Sequence, residues 1–144
     1  EIAVVDGLAY FWTNDEKTRL DVMGGIEYYG INDLTVAIEY GNRHIFEFER
    51  DMKKANDSVE RNRPEAAVRV TYELLNTRLG LTGLAVVQGA AAEFGSFARF
   101  SADYDVLDAL NVEAGVLLFF DGDDVFYDSV DRNDRVFMNV KYSF

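Results

Sequence analysis

The chain has 144 residues, with 14 Lys and Arg against 26 Asp and Glu for a net charge of −12, 49% hydrophobic and 14% aromatic residues, one Pro and no Cys. That length suits one domain spanning 1–144, and the apolar and aromatic content excludes a disordered chain. The acidic balance speaks against a nucleic-acid partner, the missing Cys excludes a disulfide scaffold, a thiolate metal site and a Cys nucleophile, and no run of about 18 apolar residues offers a transmembrane helix.

Period-two alternation dominates the chain. Residues 2–12 place Ile2, Val4 and Leu8 on one face, with Asp6 among them. Residues 19–29 place Leu20, Val22, Gly24, Ile26 and Tyr28 opposite Arg19, Asp21 and Glu27. Residues 34–43 set Leu34, Val36, Ile38 and Tyr40 against Thr35, Glu39 and Arg43. Residues 66–75 set Ala66, Val68, Val70, Tyr72 and Leu74 against Arg69, Thr71 and Glu73. Residues 78–88 are apolar on both faces, through Leu84 and Val86. Residues 94–106 set Phe94, Ala98, Phe100, Ala102, Tyr104 and Val106 against Arg99, Ser101, Asp103 and Asp105. Residues 112–120 set Val112, Ala114, Val116, Leu118 and Phe120 against Glu113 and Gly115. From Arg135 to the last residue, Val136, Met138, Val140, Tyr142 and Phe144 alternate with Arg135, Phe137, Asn139, Lys141 and Ser143.

About eight strands follow, joined by alternating short and long connections. The short ones fall at Ile31–Asp33, Asn76–Thr77 and Leu107–Leu110, and the long ones at Thr13–Lys17, Glu47–Pro64, Gly89–Glu93 and Asp121–Asp134. An antiparallel meander places alternate connections at opposite ends, so all the long ones fall at one end. The expected fold is all-β, an antiparallel up-and-down transmembrane β-barrel. Soluble barrels and sandwiches share the alternation, but the aromatic positions separate the two cases. Tyr28, Tyr72, Tyr104, Tyr142 and Phe144 fall near the short-turn ends of apolar faces, and Phe11, Phe94 and Phe120 near the other ends. Two aromatic rows flanking a Val, Ile, Leu, Ala and Gly middle match the girdles of a lipid-facing barrel.

The opposite face carries Arg19, Asp21, Glu27, Glu39, Arg43, Arg69, Glu73, Arg99, Asp103, Glu113, Arg135 and Lys141. Inside a soluble barrel these charges would be buried at heavy cost, whereas a membrane barrel lets them pair or line water. They are the expected lumen-lining residues. Leu84, Val86, Leu117 and Phe119 on this face are odd for a wide aqueous pore and would suit a plug, an infolded loop or a hydrophobic substrate.

The closing strand Arg135-Val136-Phe137-Met138-Asn139-Val140-Lys141-Tyr142-Ser143-Phe144 resembles that of bacterial outer-membrane β-barrels. A terminal Phe after alternating apolar residues resembles the signal read by the barrel-assembly machinery, which the resemblance implies as a partner. More narrowly, Tyr104-Asp105-Val106-Leu107-Asp108-Ala109-Leu110 and Asn133-Asp134-Arg135-Val136-Phe137 are similar to the C-terminal part of a family of large porin-like proteins of unassigned function. Members are much longer, so that match implies further barrel strands, with this chain as the C-terminal eight. Glu1 is not an initiator Met, which leaves a removed targeting segment or a piece of something longer.

Other motifs read as ordinary surface. Asp121, Asp123, Asp124, Asp128, Asp131 and Asp134 lack EF-hand spacing, and a solvated acidic loop that bridges loosely through cations to lipopolysaccharide is expected. His44 shares the apolar face and has no Ser or Asp partner at a distinctive spacing, so it reads as interfacial rather than as a general base. The segment Arg50–Arg63 has helical composition around Asp51–Ala55, and the sequon Asn56-Asp57-Ser58 carries no meaning in a bacterial protein. Walker loops, dinucleotide fingerprints and zinc spacings are missing. The expected role is a porin-like channel for passive passage of small solutes in the bacterial outer membrane, with no catalytic residue, metal or cofactor. The alternative is a closed eight-stranded anchoring barrel without a pore, since eight strands leave an interior just filled by side chains.

Overall fold

The computed structural model describes residues 1–10, 13, 15–54 and 59–144. Its strands are β1 (Ile2–Leu8), β2 (Lys17–Ile31), β3 (Leu34–Ile45), β4 (Asn62–Leu74), β5 (Leu79–Gln88), β6 (Gly95–Leu107), β7 (Leu110–Phe120) and β8 (Arg135–Tyr142). A 3-10 helix (Arg50–Lys54) lies between β3 and β4, and α1 (Val125–Val130) between β7 and β8. The strands form one antiparallel sheet in the order β1-β2-β3-β4-β5-β6-β7-β8. This is the expected eight-stranded up-and-down meander. The sheet is not closed: β1 and β8 are its two edges.

Two short connections use residues in left-handed conformation. Asp33 has φ 63° in the Asn32–Asp33 turn, where a short polar side chain is tolerated. Leu75, Asn76 and Thr77 have φ 54°, 56° and 67° between β4 and β5. Thr77 is β-branched and holds this conformation while its hydroxyl donates to Asn76 O at 2.6 Å.

The register is staggered. One rung runs from Glu27 through Ala37, Arg69, Leu84, Arg99 and Leu117 to Arg135. Ile2 pairs with Val22, five residues before Glu27, so β1 lies wholly to the long-connection side of that rung. β8 begins on it and runs to the short-turn side. Each edge thus sits at a different height on the sheet.

Large buried side chains gather where the long connections fold onto the sheet. Ile45, Met52, Phe94 and Tyr127 are buried there, and Met52 is 1% exposed. Elsewhere the sheet has one uncovered apolar face. Ile26 is 71% exposed, Phe100 54% and Val136 84%.

Candidate functional site: the charged face of the sheet

Cross-strand partners share a face, so the register assigns every side chain to one of two sides. Strands β2 to β8 contain sixteen Asp, Glu, Lys and Arg residues, and all sixteen fall on one side. All twelve residues expected to line a lumen are among them. Of the remaining four, Asp105 already falls on this face within 94–106, and Lys17, Glu65 and Arg63 lie one to three residues beyond the strand limits read from sequence, where carrying the alternation further finds them. The face holds eight cations and eight carboxylates, so the net charge of −12 resides outside these strands. On β1, Asp6 accepts from the Thr18 hydroxyl at 2.6 Å.

The charged side is the more sheltered one. The Arg19 and Asp21 side chains are 29% exposed, Glu113 25% and Arg63 21%, whereas Arg99, Glu27 and Arg69 are about half exposed at 44%, 47% and 54%. Arg19 meets Asp21 at 2.8 Å, Arg69 meets Glu27 at 3.3 Å, and Arg99 meets Glu113 at 2.6 Å. Asn139 donates to the other Glu113 oxygen at 3.1 Å, and the Tyr29 hydroxyl donates to Glu27. Arg99 also stacks on Phe137, 5.0 Å from the ring centroid.

Successive rungs on this face alternate in chemistry. Arg69, Arg99 and Arg135 share one rung with Glu27, Ala37, Leu84 and Leu117. Towards the short turns the next rung on that side is Thr35, Thr71, Thr82, Ser101 and Gly115, then Phe137. Beyond it lie Glu73, Gly80, Asp103, Glu113 and Asn139. From β4 to β8 a basic layer, a hydroxyl layer and an acidic layer thus follow one another, with Glu27 of β2 completing the first. Glu39, Arg43, Glu73, Asp103 and Lys141 occupy the same face.

At its long-connection end the face is capped. Arg63 donates to Gln88 Oε1 at 2.6 Å, pairs with Asp124, and lies 5.4 Å from the Phe94 ring centroid. Asp124 caps α1 by accepting from the Phe126 backbone N–H at 2.9 Å. Tyr127 is buried against Gly95, where a Cβ would run into its ring. Burial, then the nearby Asp124 charge, pushes the Tyr127 phenol pKa upward. Lys17, also buried, reaches Glu49 at 2.5 Å. The acidic Asp121–Asp134 segment, expected as solvated loop, is therefore partly helical and packed through Asp124 and Tyr127. The apolar Val125-Phe126-Tyr127 run among the aspartates marks this helix in the sequence. Among the described residues no three acidic or His side chains gather as a metal site.

In the β5–β6 connection Glu93 accepts from the backbone N–H groups of Ala91 at 2.7 Å and Ala90 at 3.1 Å. These donors, led by Ala91, hold its carboxyl pKa below the usual Glu value.

The opposite face carries the aromatic rows. Tyr28, Tyr72, Tyr104 and Tyr142 are exposed near the short-turn ends, Phe144 follows β8 fully exposed, and Phe120 is half exposed at the other end. Phe94 departs from its expected place in the outer row: it is 8% exposed, beneath Arg63. Phe11 and the sequon at 56–58 lie outside the described residues. His44 sits on this uncharged face, its Nδ1 2.7 Å from Asn62 Oδ1 and its ring edge-on to Phe46 at 4.8 Å. Those neighbours offer it neither a nucleophile nor a carboxylate.

No protein-family model matches the chain, and no curated protein matches it either.

Proposed function

We propose that this sheet is the wall, or part of the wall, of an up-and-down transmembrane β-barrel of the bacterial outer membrane, and that its charged face lines a passage for small solutes. One observation carries the reading: every charged residue of β2 to β8 lies on the sheltered face, while the face of Ile26, Val68, Phe100 and Val136 is left uncovered. A soluble sheet would do the reverse, because exposed apolar surface costs about 25 cal/mol per Å² in water. Hydrocarbon removes that cost, and water on the inner side keeps the ions solvated. The stagger that sets β1 and β8 at different heights supports the same reading, since closure into a barrel requires tilted strands with a fixed shear. The outward face then meets acyl chains. The acidic long connections reach lipopolysaccharide through divalent cations, and the exposed Met138, Val140, Tyr142 and Phe144 form the terminal signal for barrel assembly.

A second reading, a closed structural barrel without a pore, draws on the pairs Arg19–Asp21, Arg69–Glu27 and Arg99–Glu113, which suit a packed ionic interior. Conductance separates the two. The chain, refolded with lipid and fused into planar bilayers, gives discrete ohmic steps in KCl if it lines a passage. Insertion without current would leave the structural barrel. A chain that stays monodisperse in buffer without detergent would sink both.

A further inference from the structure

A face that only lines water has no use for large apolar side chains. Yet Leu84, Val86, Phe97, Leu117 and Phe119 adjoin one another on the charged face of β5, β6 and β7. Val86, Phe97 and Phe119 share one rung, with the two Phe rings 6.4 Å apart and tilted at 42°. Leu84 and Leu117 lie on the next rung of that face. All five remain partly accessible. Their border on that second rung is basic: Arg99 stands between Leu84 and Leu117, and Arg135 stands beside Leu117 on β8. Arg99 is already engaged by Glu113 and Phe137. The Arg135 side chain has no hydrogen bond or ion pair among the described residues. An apolar patch edged by an available guanidinium calls for a ligand with an oily body and an anionic head.

We propose that this patch binds an amphiphilic anion, a medium-chain alkyl carboxylate or its sulfonate analogue, with the head at Arg135 and Arg99 and the chain over Leu117, Phe119, Phe97 and Val86. The inference rests on reading the charged face as the lining of a passage, and it names the solute class which that lining favours. Matching charge selects against alkyl cations, and the apolar patch selects against small hydrophilic anions. Carboxylates elsewhere on the face, Glu39 towards β3 and Glu113 towards the short turns, confine the head to the Arg99–Arg135 side.

The test uses the chain in lipid nanodiscs, with equilibrium dialysis of labelled decanoate and of labelled decyltrimethylammonium against empty discs. Decanoate shows saturable binding above the empty-disc background, and the cation does not. Arg135→Ala weakens decanoate binding about tenfold, or about 1.4 kcal/mol, while Arg135→Lys stays within about threefold of the parent. Arg135 lies at an exposed edge strand, and the spectrum of each variant checks that the sheet is intact. Equal uptake of anion and cation, or decanoate uptake no greater than in empty discs, overturns the proposal. Bilayer conductance without decanoate is read separately. A conducting chain that fails to bind decanoate sinks this inference and leaves the passage. A binding chain that fails to conduct keeps the site and sinks the passage.

Discussion

Arg99 and Glu113 meet at 2.6 Å across β6 and β7, and the Asn139 amide of β8 approaches the second Glu113 oxygen at 3.1 Å. One carboxylate thereby links three strands on the charged face. Both partners of the ion pair keep partial contact with solvent, at 44% and 25% exposure, so their coupling is modest. A double-mutant cycle of Arg99→Met and Glu113→Gln, read by urea unfolding in detergent, gives a coupling of about 0.5–1 kcal/mol. The single Glu113→Gln change costs more than Arg99→Met, because it also weakens the Asn139 contact to the edge strand. Coupling of several kcal/mol would mean that the pair is dry.

The left-handed run in the β4–β5 connection is a local liability. A β-branched Thr77 at φ 67° is unfavourable by about 1–2 kcal/mol relative to Gly. Thr77→Gly therefore stabilises the chain by about 1 kcal/mol, measured as an upward shift of the unfolding midpoint. Loss of stability would show that the Thr77 hydroxyl contact to Asn76 outweighs the backbone term.

Gly95 joins the start of β6 to α1. Its φ of 108° disfavours any side chain, and a Cβ would collide with the Tyr127 ring. Gly95→Ala is expected to cost about 1–3 kcal/mol and to free α1 from the end of the face. Faster proteolysis within 121–134 reports the release. Tyr127→Ala frees the same helix without straining β6, and gives the same proteolytic signature with a smaller loss of stability.

The Glu93 loop carries a pH signal with a defined sign. Its folded pKa lies below its unfolded value, so its contribution to loop order is present above the ordinary Glu pKa and is lost as pH falls through the folded one. The protection factors of the Ala90 and Ala91 amides, corrected for the pH dependence of intrinsic exchange, hold at neutral pH and fall only in acid below the usual Glu range. Glu93→Gln removes that pH step. A step retained in the variant would assign it to another group.

Much of this architecture is legible in the residues themselves. Six of the eight strands announce themselves by clean alternation, 2–12 and 78–88 less so because Asp6 joins the apolar face of one and both faces of the other are apolar, and the short turns show as Asn-Asp, Asn-Thr and Asp-Ala pairs between apolar runs. The sixteen-to-none division of charge is also a sequence property, once parity is carried to the ends of each strand. Arg63, Glu65 and Lys17 escape only because strand ends are poorly marked where polar residues continue the chain. Tertiary packing hides the rest. Phe94 looks like its girdle neighbours in sequence, and only the fold of α1 and Arg63 over it takes it inside. α1 itself is six residues long, too short for periodicity to reveal among six aspartates.

The apolar face sets the tolerance to charge. In a bilayer, Val68→Arg costs about 2–4 kcal/mol near mid-depth, whereas Ala67→Arg, one residue away on the charged face, costs far less. Guanidinium unfolding in lipid vesicles compares the two. Equal penalties would contradict the assignment of faces.

Which face meets lipid can be measured directly, because the chain has no Cys and accepts single labels cleanly. Nitroxides placed at Ile38, Val68 and Phe100, and at Ala37, Ala67 and Ser101, in vesicle-reconstituted protein report collisions with oxygen and with a water-soluble nickel chelate. Labels at the first three sites favour oxygen and those at the second three favour nickel, alternating residue by residue along β3, β4 and β6. Nickel access at Ile38, Val68 and Phe100, with dry labels at Ala37, Ala67 and Ser101, would contradict the account.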